Sequence, residues 1–129
     1  MLNLTKKIDY GLELALALAR HYDQPPLSLR QVADQQRIPY PFLSQVAVSL
    51  RRAGLIEAKE GSGGGYFLAC PPAKITLSDV VDALSVSTVD HCEICEREGL
   101  CHPRHIWAQI EKHLNQKLRQ QTLKDLIKN

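Results

Sequence analysis

The sequence predicts a mainly α fold with a single two-stranded β element near its middle. Three observations point there. Apolar residues recur every three or four positions through 4–22, 42–50 and 106–118, the period of a helix with one buried face. Between residues 54 and 70 that period gives way to short apolar runs on either side of "GSGGG", which is hairpin patterning. A chain of 129 residues with 44% hydrophobic content is one domain's worth and can bury a core without staples.

The elements follow in order. "LTKKIDYGLELALALARHY" (4–22) reads as a helix with Thr5 as its N-cap. Leu12, Leu16 and Ala19 form its stripe, widened by Ala15 and Leu18. "DQPP" (23–26) ends it. Ser28 and Gln31 have the form of a capping box opening the next helix. Pro39 and Pro41 exclude one continuous helix through that point, and Pro41 suits the first turn of a new one. Phe42, Val46 and Leu50 fall on one face of that new helix, extended by Leu43 and Ala47. Gly54 stands where a C′ residue closes it. Two short helices joined by a tight turn form a helix-turn-helix unit. The hairpin that follows at once, in "LIEAKEGSGGGYFLAC", is its wing.

The expected fold is therefore a winged helix-turn-helix over residues 1–75, with a second part over 76–129. That part opens on a short helix whose capping box is Thr76 and Asp79. A cysteine-rich loop covers about 90–105. A long C-terminal dimerisation helix carries Ile106, Ile110, Leu114 and Leu118 at a spacing of four. In a monomer that stripe packs on the small domain; it serves equally as a dimer seam. A last capping box at Thr122 and Asp125 precedes one short turn.

The net charge of +2 says little alone. Its distribution says more: acids outnumber bases in 61–100, and bases outnumber acids in 101–129. No apolar run is long enough to span a bilayer, since "LELALALA" (12–19) is short and contains Glu13. No cleavage-site pattern follows Lys6 and Lys7. The expectation is a cytoplasmic protein without a membrane partner. Thiols stay reduced there, so four cysteines, three of them clustered, point to a metal site or redox sensor before a disulfide framework.

A helix-turn-helix places the N-terminal residues of its second helix on base edges in the major groove. Here these are Tyr40, Ser44 and Gln45. Glutamine can bind adenine bidentately, and serine contacts several bases. Arg51 and Arg52, further along, suit phosphates or a guanine edge. Arg30 and Arg37 flank the unit and suit phosphates, which orient a protein without reading sequence.

"IPYPFLSQVAVSLRRAGLI", "GGGYFLA", "PPAKITLSDVVDAL" and the cysteine loop followed by Trp107 together resemble the IscR/NsrR-type (Rrf-type) winged-helix regulators. The match runs nearly end to end. The resemblance implies a homodimer that binds a palindromic duplex DNA operator and usually represses, with no small-molecule substrate. It implies an iron–sulfur cluster in the loop whose state controls DNA binding. In the wing, the family often carries a basic residue before the glycines. This chain has Glu60 there, which the strongly negative minor groove repels, with Lys59 next to it as the substitute.

Cys92, Cys95 and Cys101 stand in C-x2-C-x5-C spacing. Thiolates are soft ligands that select iron–sulfur clusters or zinc. The resembling family has five residues in each gap, so the first gap here is shorter. Two routes to a fourth ligand follow from the resemblance. One branch of the family uses a histidine after the last cysteine to complete a 2Fe-2S cluster; here His102 and His105 flank that place. Another branch uses an aspartate on the first helix of the partner subunit to complete a 4Fe-4S cluster; Asp9 matches it. Zinc is the alternative, because C-x2-C is typical zinc spacing and three cysteines with one histidine are a common structural set. A metal-free thiol redox switch is a third. Cys70, at the end of the wing, reads as a small, partly buried residue.

An enzymatic reading would take C-x2-C as a dithiol motif, but that motif expects a βαβ setting absent from this pattern. The chain is therefore not expected to be an enzyme. A winged helix that makes protein contacts without binding DNA is the alternative of another class. Duplex binding that weakens steeply with salt separates the two.

Overall fold

The structure is a computed structural model describing residues 6–85 and 102–127, the side chains at 102–105 and 107 aside. Three helices come first: α1 (Lys6–Arg20), α2 (Leu29–Gln36) and α3 (Tyr40–Arg52). Strands β1 (Ile56–Lys59) and β2 (Gly65–Leu68) follow, then a 3-10 turn at Pro72–Lys74 and α4 (Leu77–Leu84). The described C-terminal part is α5 (His102–Gln120) and α6 (Leu123–Ile127). This is the expected mainly helical winged helix-turn-helix, with a two-stranded antiparallel wing. The Thr5 cap and the cysteine loop up to Cys101 lie outside the described residues.

Helix α1 is the centre of the molecule. It packs against α3, α4, α6 and β2. Leu14, Ala15, Leu18 and Ala19 are its deepest residues, whereas Leu12 and Leu16 of the expected stripe are only half-buried. The stripe is broader than one face because neighbours stand on several sides of the helix; only a line through Lys6, Asp9, Glu13 and Arg20 reaches solvent. Gly11 lies against Leu84, where a Cβ would collide with the Cδ1 of that leucine. Missing side-chain bulk at Gly11 is thus what lets α1 and α4 approach. Val80, Leu84, Leu118 and Leu123 join Leu14, Leu43 and Leu50 in one core cluster, so residues on both sides of position 75 share it.

The local signals form as their chemistry requires. Ser28 Oγ accepts from the Gln31 amide at 3.1 Å, and Gln31 Oε1 accepts from the Ser28 amide at 3.1 Å. Thr76 with Asp79 repeats this at α4, and Thr122 with Asp125 at α6. Each such cap is worth about 1 kcal/mol. Gly54 closes α3 in the left-handed region at φ 78°. Its N–H reaches the Arg51 carbonyl and that of Leu55 reaches the Leu50 carbonyl, at 3.0 and 3.1 Å; this is the Schellman pattern.

The wing is pinned to the domain by a contact that periodicity did not announce. Leu27, in the loop before α2, bridges Tyr66 of β2. The Tyr66 N–H donates to the Leu27 carbonyl at 2.7 Å, and the Leu27 N–H to the Tyr66 carbonyl at 3.0 Å. Gly65 makes this approach feasible: its φ is 153°, and a Cβ there would strike the Leu27 carbonyl. Backbone cannot yield as a flexible side chain can. Gly65→Ala is therefore expected to destabilise the fold by about 1–3 kcal/mol, the range for overpacking and strain. Urea unfolding checks it, and a loss below ~0.5 kcal/mol would show that the bridge is dispensable.

Candidate nucleic-acid interface

Helix α3 buries Leu43, Val46, Ala47 and Leu50. Its opposite side presents Tyr40, Gln45, Arg51 and Arg52 to solvent, with Ser44 half-buried at the border. A helix of 13 residues with one face in a core and the other free has the geometry that enters a major groove. Arg51 and Arg52 close its last turn, where the helix dipole favours cations. Ser49 spends its hydroxyl on the Gln45 carbonyl at 3.4 Å. Lys59 ends β1 and is exposed, as is Glu60 beside it.

Phe42 requires a correction. It was expected on the buried face with Val46 and Leu50, but it is 54% exposed. The buried place in the first turn of α3 is taken by its neighbour Leu43, which is fully buried. The Phe42 ring instead meets that of Tyr10 on α1, centroids 6.2 Å apart and tilted by 45°. Val48 was not singled out from the sequence at all. It is 48% exposed on the reading side, between Gln45 and Arg52. An apolar side chain there suits the thymine methyl group. An isolated valine one turn after Gln45, off the buried stripe, was the signal available.

Arg30 is exposed on α2, and its guanidinium carbon lies 4.8 Å from the Tyr40 ring centroid. Such a cation–π contact at an exposed site is worth about 0.5–1 kcal/mol. Arg37, the residue of the helix-turn-helix turn, holds φ 56°. That left-handed conformation costs a non-glycine residue roughly 1–2 kcal/mol. Its N–H and that of Ile38 both return to the Ala33 carbonyl, the latter at 3.0 Å, which holds the turn closed.

The stripe on α5 divides. Leu118 is 8% exposed, inside the chain's own core, and Leu114 packs partly against it. Ile106 and Ile110 are 56% and 50% exposed. Asp9 is exposed in the first turn of α1, and no described residue bonds its carboxylate. Cys70 is a half-buried free thiol against the core. Among the described residues no cluster of His, Cys, Asp and Glu could hold a metal. Cys92, Cys95 and Cys101 lie outside them, as does the His105 side chain. No described helix is long and apolar enough to cross a membrane.

A family model described as Rrf2, iron-dependent transcriptional regulator, matches residues 4–129. The chain belongs to the Rrf2 family. It is a DNA-binding transcriptional regulator and not an enzyme. The transcriptional regulator IscR of Cereibacter sphaeroides is 38% identical over 122 residues, covering 88% of this chain and 78% of that protein. The solved structure of T. potens IscR superposes with a TM-score of 0.81 at 30% identity, covering 98% of this chain and 87% of its own. CymR of B. subtilis, described as its global cysteine regulator, superposes at 0.82 with 32% identity, covering 99% and 98%. Rrf2 relatives thus share the whole described architecture, including α5 and α6.

Proposed function

We propose that this Rrf2 regulator acts as a homodimer on a palindromic operator, and that an iron–sulfur cluster held by Cys92, Cys95 and Cys101 sets its affinity for DNA. The carrying observation is the pairing of three thiolates within ten residues with a family described as iron-dependent. Thiolates of this softness select iron–sulfur clusters or zinc, and the family's iron dependence favours the cluster. Such a cluster, when bound, supplies an oxidisable tie between chain segments that are otherwise separate.

The rest is done by the chain. Ile106 and Ile110 form the seam between two copies, since Leu118 is already used internally. Pairing there places two α3 helices roughly one DNA turn apart, about 34 Å or a multiple. Tyr40, Ser44, Gln45 and Val48 read bases; Arg51, Arg52 and Lys59 meet the backbone. Asp9 of the partner subunit completes the ligand set, which its exposed carboxylate, bonded by no described residue, suits. Its neighbour Tyr10 touches Phe42 at the start of α3. A pull on the first turn of α1 therefore reaches the start of the recognition helix through this ring contact, within the wider packing of α1 on α3. A coupling of about 1–3 kcal/mol, or 5- to 150-fold in DNA affinity, makes a working switch.

Zinc in a site of three cysteines and His105 is the second reading, favoured by the short C-x2-C gap. One pair of variants separates the ligand routes. Asp9→Ala is expected to lower bound iron and sulfide together while His105→Ala leaves them in place. Iron retained in Asp9→Ala and lost in His105→Ala would move the fourth ligand to the histidine.

A further inference from the structure

We propose that Arg30 and Tyr40 form one DNA-reading unit in which Arg30 is a positioning residue: stacked on the tyrosine, it fixes where that ring enters the groove. The inference rests on the reading that the exposed side of α3 meets DNA.

Arginine at this place is held by little else. It is the second residue of α2, whose first turn contains no acid, and the positive end of a helix dipole disfavours a cation. Among the described residues no carboxylate pairs with it. The Tyr40 ring, 4.8 Å away, is its partner. Tyr40 in turn is the first residue of α3, between Pro39 and Pro41. The two pyrrolidine rings fix the backbone φ on either side, so the freedom left to Tyr40 is largely that of its own side chain. Tyr40 is 42% exposed, and Arg30 is the partner its ring meets among the described residues. Ordering a contact side chain before binding removes part of the cost of association.

A guanidinium carries five N–H donors, so a contact with one ring does not exhaust its capacity to bond DNA. The competing role is an arginine that touches a phosphate by itself. That role depends on charge and salt and not on a ring. The two roles differ in one quantity: the dependence of the Arg30 effect on Tyr40.

The test measures duplex binding across a salt series for the wild type, R30A, Y40A, Y40F, Q45A and the R30A/Y40A double variant. The probes are the duplex that the wild-type protein enriches from a random pool and a scrambled duplex of the same length. Helical content by circular dichroism confirms that each variant folds. The expected result is that R30A weakens binding to the enriched duplex roughly three- to ten-fold, but less than about two-fold when Tyr40 is already alanine. In Y40F the dependence on Arg30 persists, because the ring remains. Equal losses from R30A in both backgrounds, with the salt slope reduced by about one, would make Arg30 an independent phosphate contact and overturn the unit. If Y40A leaves both duplexes unaffected while Q45A weakens the enriched one, the ring is no part of the surface and the unit falls with α3 still in place. If Q45A is also without effect, the assignment of α3 as the reading helix falls with it.

Discussion

Replacing Ile106 and Ile110 together with glutamate is expected to split the proposed dimer and weaken operator binding by two orders of magnitude or more. The two residues are a little over half and half exposed in a single chain. Full burial of an isoleucine contributes about 1.5–3 kcal/mol, so the half still exposed is worth roughly 1 kcal/mol per residue. A two-fold seam counts each residue twice, which gives about 3–6 kcal/mol for four side chains. Each 1.4 kcal/mol is a factor of ten in dissociation constant. Carboxylates at the same place also repel one another across the axis. Sedimentation velocity reads the oligomeric state directly. Leu118→Ala is the contrasting variant: its side chain lies in the chain's own core, so it should lower thermal stability by about 2–5 kcal/mol. An Ile106→Glu, Ile110→Glu protein that remains dimeric would place the seam elsewhere.

Cys95→Ala is expected to abolish bound iron and sulfide and to make DNA affinity insensitive to anaerobic reconstitution. Cys95 is the middle thiol of the three, shared by both gaps of C-x2-C-x5-C. Removing one soft ligand leaves an open coordination position that alanine cannot fill. Cys70→Ala supplies the control, since Cys70 sits half-buried against the core beside the wing. It should retain full metal content. Cluster content unchanged in Cys95→Ala would remove the loop from metal binding and leave the family's iron dependence to other residues.

The helix ends were the most legible part of this molecule. Ser28, Thr76 and Thr122 each stand three residues before a partner that closes a capping box, and all three boxes form. Their information is local, so sequence spacing carries it. Gly54 is legible for the same reason, because a left-handed residue after α3 is cheapest as glycine. Contacts between distant segments were not legible. Nothing in "PPLSL" says that Leu27 will bridge Tyr66, or that Gly65 is glycine to admit a carbonyl. The long stripe on α5 reads as uniform, yet Leu118 goes into the core and Ile110 stays outside. Periodicity reports which side of a helix is apolar; it does not report where the neighbour stops. Phe42 shows the same effect at the other end of a helix: it keeps the period of Val46 and Leu50 but lies beyond the edge of the core. At the candidate interface the residue types were legible, while the stack of Arg30 on Tyr40 required the placement of α2 beside α3.

The central claim is that the thiol loop controls DNA binding through an iron–sulfur cluster. Its most direct test is one protein sample purified without oxygen, assayed for iron, sulfide and zinc, then split. One half is kept loaded and the other is stripped with a chelator under reducing conditions. Both are titrated against the enriched duplex at fixed salt. The expected result is iron and sulfide in equal amounts, and a 5- to 150-fold difference in affinity between the halves. Zinc without sulfide, or equal affinities in a sample shown to hold the cluster, would contradict it.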